Sequence, residues 1–214
     1  MKQNYQLMLD RTIDSIVKSG SRPRLLLHAC CAPCSSYVLE YLSKYFSITL
    51  LFYNPNISHK DEHQLRLDEL RRLVGEMELG DSVDVVESDY EPERFFEIAK
   101  GLEHLPEGDE RCRRCYELRL DKTAKAALEG GFDYFSTTLS ISPYKNAEWL
   151  NCIGEALSER YGVNYLFSDF KKKGGYKRSC ELSAKHSLYR QDFCGCIYSK
   201  IERDRRRELG NLKN

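Results

Sequence analysis

The chain lacks any run of 18 apolar residues, the minimum expected of a helix that crosses a membrane. Its first residues, MKQNYQLMLDRTIDS, also lack the apolar core of a secretory signal peptide. We therefore expect a cytoplasmic protein with no membrane partner. Internal repeats and low-complexity tracts are missing as well. The length of 214 residues, 41% of them apolar, suits one globular core.

The chain also lacks net charge, because 33 Lys and Arg balance 33 Asp and Glu. The balance is uneven along the chain, since residues 171–214 carry 13 basic and 5 acidic side chains. A basic segment of this kind is typical of a protein with a polyanionic partner, although a solvated helix face would carry the same charges. We expect residues 1–170 to form the main domain and residues 171–214 a basic segment packed on it.

Short apolar runs alternate with amphipathic stretches. The predicted strands are residues 24–29, 48–53, 83–87, 132–137 and 163–168. The predicted helices are residues 4–18, 33–45, 59–79, 92–100, 112–128 and 146–160. The alternation predicts an α/β fold with a parallel, Rossmann-like sheet, which binds its ligands beyond the carboxyl ends of the strands. The polar and thiol side chains that follow the strands are Cys30, Cys31, Cys34, Asn54, Asn56, Asp89, Thr137, Thr138, Ser140 and Asp169.

The chain contains nine cysteines, and without an export signal we expect them to stay reduced. Clustered cysteines in such a protein indicate metal binding or catalysis. Cys30, Cys31 and Cys34 lie between a strand end and a helix start, where the helix dipole favours the thiolate form. Three thiols within five residues predict a metal site better than they predict apolar packing.

Cys112 and Cys115 form a CxxC at a helix start, which alone fits a redox pair or half of a zinc site. We expect the flanking residues Arg111, Arg113 and Arg114 to stabilise thiolates there. A Cys₄ iron–sulfur cluster needs four converging sulfurs. Cys30 and Cys31 would complete the set, with Cys34 as a competing ligand. Five thiols favour iron–sulfur, and zinc remains the alternative.

Cys194-Gly195-Cys196 is a third cysteine group. A disulfide across CxC is strained and readily reduced, which suits an electron relay. Two unrelated thiols, or extra ligands, are the alternative. Cys152 lies within a helical pattern, where we expect it in the core, and His28 is likewise expected in the core. Cys180 has no assignment.

Several basic and aromatic residues are candidates for binding substrate. Lys145 is placed to hold phosphate, although a lone lysine is often solvated. Tyr176, Arg178 and Arg190 lie in a stretch that mixes glycine, aromatic and basic residues. That mixture suits backbone contacts and base stacking in an unpaired RNA loop.

The motifs HACCAPCS, FYNPNI, CRRC followed by YELRL, TTLSISPYKN and YRQDFCGC together resemble the QueH family of epoxyqueuosine reductases. The resemblance spans roughly residues 24–200. It implies reduction of epoxyqueuosine to queuosine in tRNA, the last step of queuosine biosynthesis. It also implies a fold like that of the HUP and ATP-pyrophosphatase enzymes. ATP use is not expected, because the phosphate-binding SGGxDS motif of those enzymes is missing.

The resemblance further implies a [4Fe-4S] cluster on Cys30, Cys31, Cys112 and Cys115 and a redox-active pair at Cys194 and Cys196. It implies an additional iron ion, for which Cys34 and Asp89 are the candidates. An external, ferredoxin-like donor would supply the electrons. Two other functions remain open, an ATP-dependent iron–sulfur tRNA thiolase and a non-catalytic zinc-binding RNA module.

Overall fold

A parallel five-stranded sheet forms the centre of the computed structural model, which describes residues 3–79 and 83–211. The strands are Arg24–His28 (β1), Ser47–Phe52 (β2), Asp84–Glu87 (β3), Tyr134–Thr137 (β4) and Asn164–Tyr165 (β5). Their order is β3-β2-β1-β4-β5, so the chain starts at the central strand and winds outward in both directions. The predicted Rossmann-like α/β fold is confirmed.

Eight α-helices accompany the described strands. They are Tyr5–Ser19 (α1), Ala32–Leu42 (α2), Lys60–Glu76 (α3), Pro92–Ala99 (α4), Glu110–Glu129 (α5), Ala147–Tyr161 (α6), Gly175–Lys185 (α7) and Ile197–Asn211 (α8). A short 3₁₀ helix, Thr138–Ile141, follows β4 directly. None of the helices in the described part of the chain is long and apolar enough to cross a membrane.

The last strand is shorter than the predicted residues 163–168. Only Asn164–Tyr165 pairs with β4, and the chain then leaves the sheet. Beyond the strand, the side chain of Asn151 of α6 bonds both the N–H and the carbonyl of Ser168 at 2.9 Å. These bonds satisfy the Ser168 backbone as a neighbouring strand would.

The sheet is covered on both faces. Leu25 and Leu27 of β1 pack in the apolar cluster that contains α1 and α2, whereas Leu26 packs in the cluster that contains α5 and α6. This alternation follows from the pleat of a strand. Burying each leucine contributes roughly 1.5–3 kcal/mol, so the central strand is firmly held. The carboxyl end of β1 is therefore a rigid support for the residues that follow it.

The C-terminal segment lies against the same sheet domain. Helix α7 approaches α2 so closely that a Cβ built on Gly175 would lie 2.5 Å from the Tyr37 ring. Arg178 of α7 forms an ion pair with Glu40 of α2 at 2.6 Å. The boundary predicted between residues 170 and 171 stays a prediction.

Candidate functional site

The end of β1 is anchored by His28. Its Nδ1 lies 2.9 Å from Thr137 Oγ1 and its Nε2 lies 3.1 Å from the Tyr53 carbonyl, so it joins the ends of three strand segments. Complete burial lowers the pKa of His28 to about 4, which keeps the ring neutral. The expected core position of His28 is confirmed.

Three thiols meet immediately beyond β1. The sulfurs of Cys30, Cys31 and Cys34 all lie within 4.8 Å of one another, and those of Cys30 and Cys31 are 3.7 Å apart. Cys31 is the N-cap of α2, and Cys34 lies on the first turn of that helix. The tight turn between strand and helix thus brings together three soft ligand atoms at the positive end of a helix dipole.

Among these three thiols, one ionises more readily than the other two. Hydrogen bonds from the Cys30 and Cys34 thiols hold the pKa of Cys31 well below its ordinary value. The bond to Cys31 raises the pKa of Cys30 to about 11, and the bonds to Cys30 and Cys31 raise the pKa of Cys34 well above its ordinary value. One thiolate supported by two thiols is the starting state from which a metal would displace the remaining protons.

Cys112 and Cys115 lie on α5 and are not among the three sulfurs that lie within 4.8 Å of one another. Cys112 packs in the same buried cluster as Cys30 and Cys31. Cys115, one turn later, packs with Cys196 and Phe95 in a neighbouring cluster. Burial raises the pKa of Cys112, and it raises that of Cys115 to about 12. Both are therefore protonated until a cation or a metal stabilises their thiolates.

The arginines expected to stabilise these thiolates are directed elsewhere. Arg113 and Arg114 are exposed and pair with Glu110 at 3.6 and 3.7 Å. Arg111 is buried, but it donates to backbone carbonyls of the loop before α5, that of Glu103 at 3.1 Å among them. Their expected role was wrong because side chains next to a cysteine on a helix point away from it.

Arg119 is the arginine that lies beside the thiols. It stands one turn after Cys115, on the buried face of α5, and its side chain is 1% exposed. Burial opposes its charge, but the sulfurs of Cys115, Cys194 and Cys30 outweigh that effect and raise the pKa of Arg119. The sequence carried a signal for it, since a charge four residues after a cysteine shares that cysteine's helix face.

The loop of Cys194 and Cys196 is held against the end of β2. Arg66 of α3 donates to the carbonyls of Cys194 at 3.0 Å and Phe193 at 3.4 Å. Gly195 has φ +111°, and a Cβ there would lie 2.9 Å from Ile57, so the close contact requires glycine. The nine cysteines, which all lie in the described ranges, are free thiols.

A cavity of about 560 Å³ opens beyond the carboxyl ends of the strands. Cys30, Cys34 and Cys194 line it together with Arg119. The basic and aromatic side chains of its wall are Arg66, Tyr144, Lys145, Tyr176, Arg190, Phe193, Arg203, Arg206 and Arg207. The site therefore combines thiols at its base with cations and rings above them, and sequence reasoning missed the arginines of α8.

Lys145 is buried in the wall of this cavity rather than solvated. Its Nζ pairs with Glu107 at 2.8 Å. Although burial opposes the charge, Cys194, Tyr116 and Glu107 raise the pKa of Lys145 well above its ordinary value. The cavity therefore holds a fixed ammonium group close to its thiols.

Other predicted residues lie apart from the cavity. Arg178 is occupied by Glu40 and Glu181 and does not line the wall. Asp89 is exposed after β3 and also does not line it. Cys180 is half-buried on α7. Cys152 was expected in the core but is exposed, because α6 buries the opposite face through Leu150, Ile153 and Leu157.

The donor set fits a thiophilic metal centre. Soft thiolate ligands select iron–sulfur clusters, zinc and copper(I) over hard cations. The guanidinium of Arg119 fits the negative charge that a thiolate-ligated centre carries. Cys30, Cys31 and Cys34, with Cys112 alongside, are the residues of the described chain best placed to hold such a group.

The fold and the site define a class of α/β proteins with a thiol-lined, cationic cavity at the carboxyl edge of a parallel sheet. Residues 25–202 match the family described as epoxyqueuosine reductase QueH. The chain belongs to this enzyme family.

Individual relatives agree with the family match. Epoxyqueuosine reductase QueH of Streptococcus pyogenes serotype M1 is 43% identical over 205 residues, which cover 93% of this chain and 80% of that protein. The protein of the same name from Staphylococcus aureus (strain Mu50) is 41% identical over 205 residues, covering 94% and 85%.

A solved structure supports the fold. The U34-tRNA thiolase NcsA from Methanococcus maripaludis with its [4Fe-4S] cluster superimposes with a TM-score of 0.53, over 91% of this chain and 67% of that one. The two are 13% identical, so the likeness concerns the fold alone.

Proposed function

We propose that this protein reduces epoxyqueuosine to queuosine in tRNA by means of an iron–sulfur centre. The chain belongs to the epoxyqueuosine reductase family. Within it, the placement of the thiols supports the proposal most directly. Thiols from two remote stretches, at Cys30 and Cys194, line one cationic cavity, and Cys112 of α5 packs in the same buried cluster as Cys30. A reductase acting on a nucleic acid needs both a redox group and a surface for phosphate.

Cys30, Cys31, Cys112 and Cys115 would hold the [4Fe-4S] cluster. When bound, this group supplies electrons one at a time, which side chains cannot do. The helix dipole at Cys31 and the guanidinium of Arg119 favour the thiolates that such a group requires. Cys34 fits as a ligand of an additional iron ion, but Asp89 lies away from the cavity wall, so no step is assigned to that ion.

The cavity wall suits a nucleotide turned out of an RNA loop. Tyr144 and Tyr176 are exposed at the wall, where their rings are free to stack on bases, at about 1–3 kcal/mol per base. Arg190 and the arginines of α8 stand beside them and would hold phosphates. Lys145, kept charged deeper in the wall, is placed to donate a hydrogen bond to the oxygen of the bound substrate.

Cys194 and Cys196 would supply reducing equivalents. Converting an epoxide to an alkene and water consumes two electrons and two protons. Oxidation of two thiols to a disulfide releases the same number of each, so the pair balances the reaction once per turnover. An external donor of the ferredoxin class would then reduce the disulfide again.

The relay role is tested by removing each thiol of the pair in turn. We expect Cys194→Ser and Cys196→Ser to bind iron normally but to fail in repeated turnover with a chemical reductant. Wild-type rates in repeated turnover by both variants would show that the pair is not a relay.

The function itself is tested by an oxygen-free assay with tRNA containing epoxyqueuosine, reading the product nucleoside by mass. We expect the modified base to lose one oxygen atom without ATP. The Cys152→Ser variant is the control and should be equally active. Appearance of a sulfur-bearing base that depends on ATP would identify a thiolase instead. Binding of tRNA with zinc and no product would identify an RNA-binding module.

A further inference from the structure

Arg119 is a buried cation without an acidic partner. Its Nε donates to the Cys115 carbonyl at 3.2 Å, but its buried Nη2 atom has no hydrogen-bond partner. Among the residues that the structure describes, no carboxylate lies within ion-pair distance of it. The same guanidinium forms part of the cavity wall.

A comparison with Arg111 shows what Arg119 lacks among the described residues, namely an acidic side chain within ion-pair distance. Both arginines lie on α5, and both are 1% exposed. The Nε and Nη2 atoms of Arg111 also lack hydrogen-bond partners, but Glu202 lies 3.5 Å away and three carbonyl oxygens surround Nη1, so its charge is compensated. A buried charge without compensation is strongly destabilising, because the group has lost its hydration and gained nothing. Arg119 therefore requires a negative charge from a different source.

The groups whose ionised forms would favour the charge of Arg119 are Cys115, Cys194 and Cys30, followed by Tyr116. These thiols come from the end of β1, from α5 and from the loop before α8. As neutral thiols they would leave the guanidinium uncompensated. As ligands of a thiolate-bound metal centre they would provide the missing charge, and the free Nη2 would donate to a sulfur of that centre.

We propose that Arg119 is the counter-charge of the thiolate-held centre and raises its reduction potential. Reduction adds a negative charge next to the guanidinium, so the cation stabilises the reduced state more than the oxidised one. Arg119 is thus a positioning and tuning residue rather than a group that touches the reacting atoms. The inference rests on the proposed function for the identity of the centre.

The test compares Arg119→Gln, Arg119→Lys and the control Arg160→Gln in protein purified without oxygen. Arg160→Gln removes the same charge from the surface, where Arg160 is 68% exposed. Iron and sulfide content, the thermal unfolding midpoint and the midpoint potential of the centre are measured without tRNA. We expect Arg119→Gln to be about tenfold harder to reduce, which is about 59 mV lower for a one-electron couple. Arg119→Lys and Arg160→Gln should remain near the wild-type potential.

The outcomes separate the two proposals. A fully loaded Arg119→Gln protein with the wild-type potential would overturn the inference and leave the proposed function intact. If Arg119→Gln folds but fails to bind iron, recovery of iron by Arg119→Lys supports the counter-charge, and loss in both variants overturns it. A wild-type protein that binds no iron would overturn the proposed cofactor first.

Discussion

The two walls of the cavity are built in different ways. The thiol wall, formed by Cys30, Cys34 and Arg119, is attached to the central strand and to the buried face of α5. The cationic wall, formed by Arg190, Phe193, Arg203, Arg206 and Arg207, belongs to the C-terminal segment. Exposed ion pairs hold it in part, such as Arg203 with Asp192 at 2.5 Å. Under the proposed function, chemistry would lie on the rigid framework and recognition on a less deeply anchored one.

Removing one of the four proposed cluster ligands should have the largest effect. We expect Cys112→Ser to lower iron affinity at least about 100-fold, since changing even an outer contact of a metal site costs about 10–100-fold. Iron and sulfide analysis of oxygen-free protein measures the change.

Two further variants give this prediction its controls. Cys152→Ser alters an exposed thiol on α6 and should keep full iron content. Cys34→Ser should keep the cluster as well. Full iron in Cys112→Ser together with loss in Cys34→Ser would reverse the assignment of the fourth ligand.

Displacing α7, the helix that precedes the cationic wall, should spare the thiol wall. A Cβ on Gly175 would lie 2.0 Å from the Phe170 carbonyl oxygen, so Gly175→Ala has to move α7 away from its present position. We expect a loss of about 1–3 kcal/mol in the free energy of unfolding and weaker tRNA binding, with iron content unchanged.

Gly75→Ala is the matched control, because Gly75 is also helical and nothing lies within 4 Å of a Cβ there. It should stabilise the protein by roughly 0.5–1 kcal/mol. Equal destabilisation by both substitutions would show that the close packing of α7 at Gly175 is not the cause of the loss.

The smallest effect is expected from single charges on α8. Replacing Arg206 or Arg207 by Gln should weaken the salt dependence of tRNA binding. The slope of log binding constant against log salt concentration should become shallower by about 0.7–0.9 for each phosphate that is no longer neutralised. The measurement is a binding titration at several salt concentrations, with Arg160→Gln as the control of equal charge. An unchanged slope in both α8 variants would mean that this wall does not bind phosphate.

The same comparison explains what could be predicted from the sequence. The thiol wall was foreseen because β1 is an apolar run whose end is set by the polar and thiol residues that follow it. The parallel topology then placed Cys30, Asn54 and Thr138 at one edge. The assignment of Cys112 to the same centre came only from counting ligands and stays a prediction, since spacing along the chain does not encode distance across the sheet.

The cationic wall was not foreseen in detail. Helices α7 and α8 are amphipathic, but residues 171–214 were interpreted only as a basic segment, so no helix was predicted there. Arg119 was missed for a related reason, because a charged residue on a helix is usually solvated. Its position four residues after Cys115 was the local signal that could have found it.

The most direct test of this account is anomalous diffraction at the iron edge from crystals grown without oxygen. The account predicts iron bonded to Cys30, Cys31, Cys112 and Cys115, with Arg119 against the centre. Zinc at these sulfurs, or iron bound away from them, would contradict it.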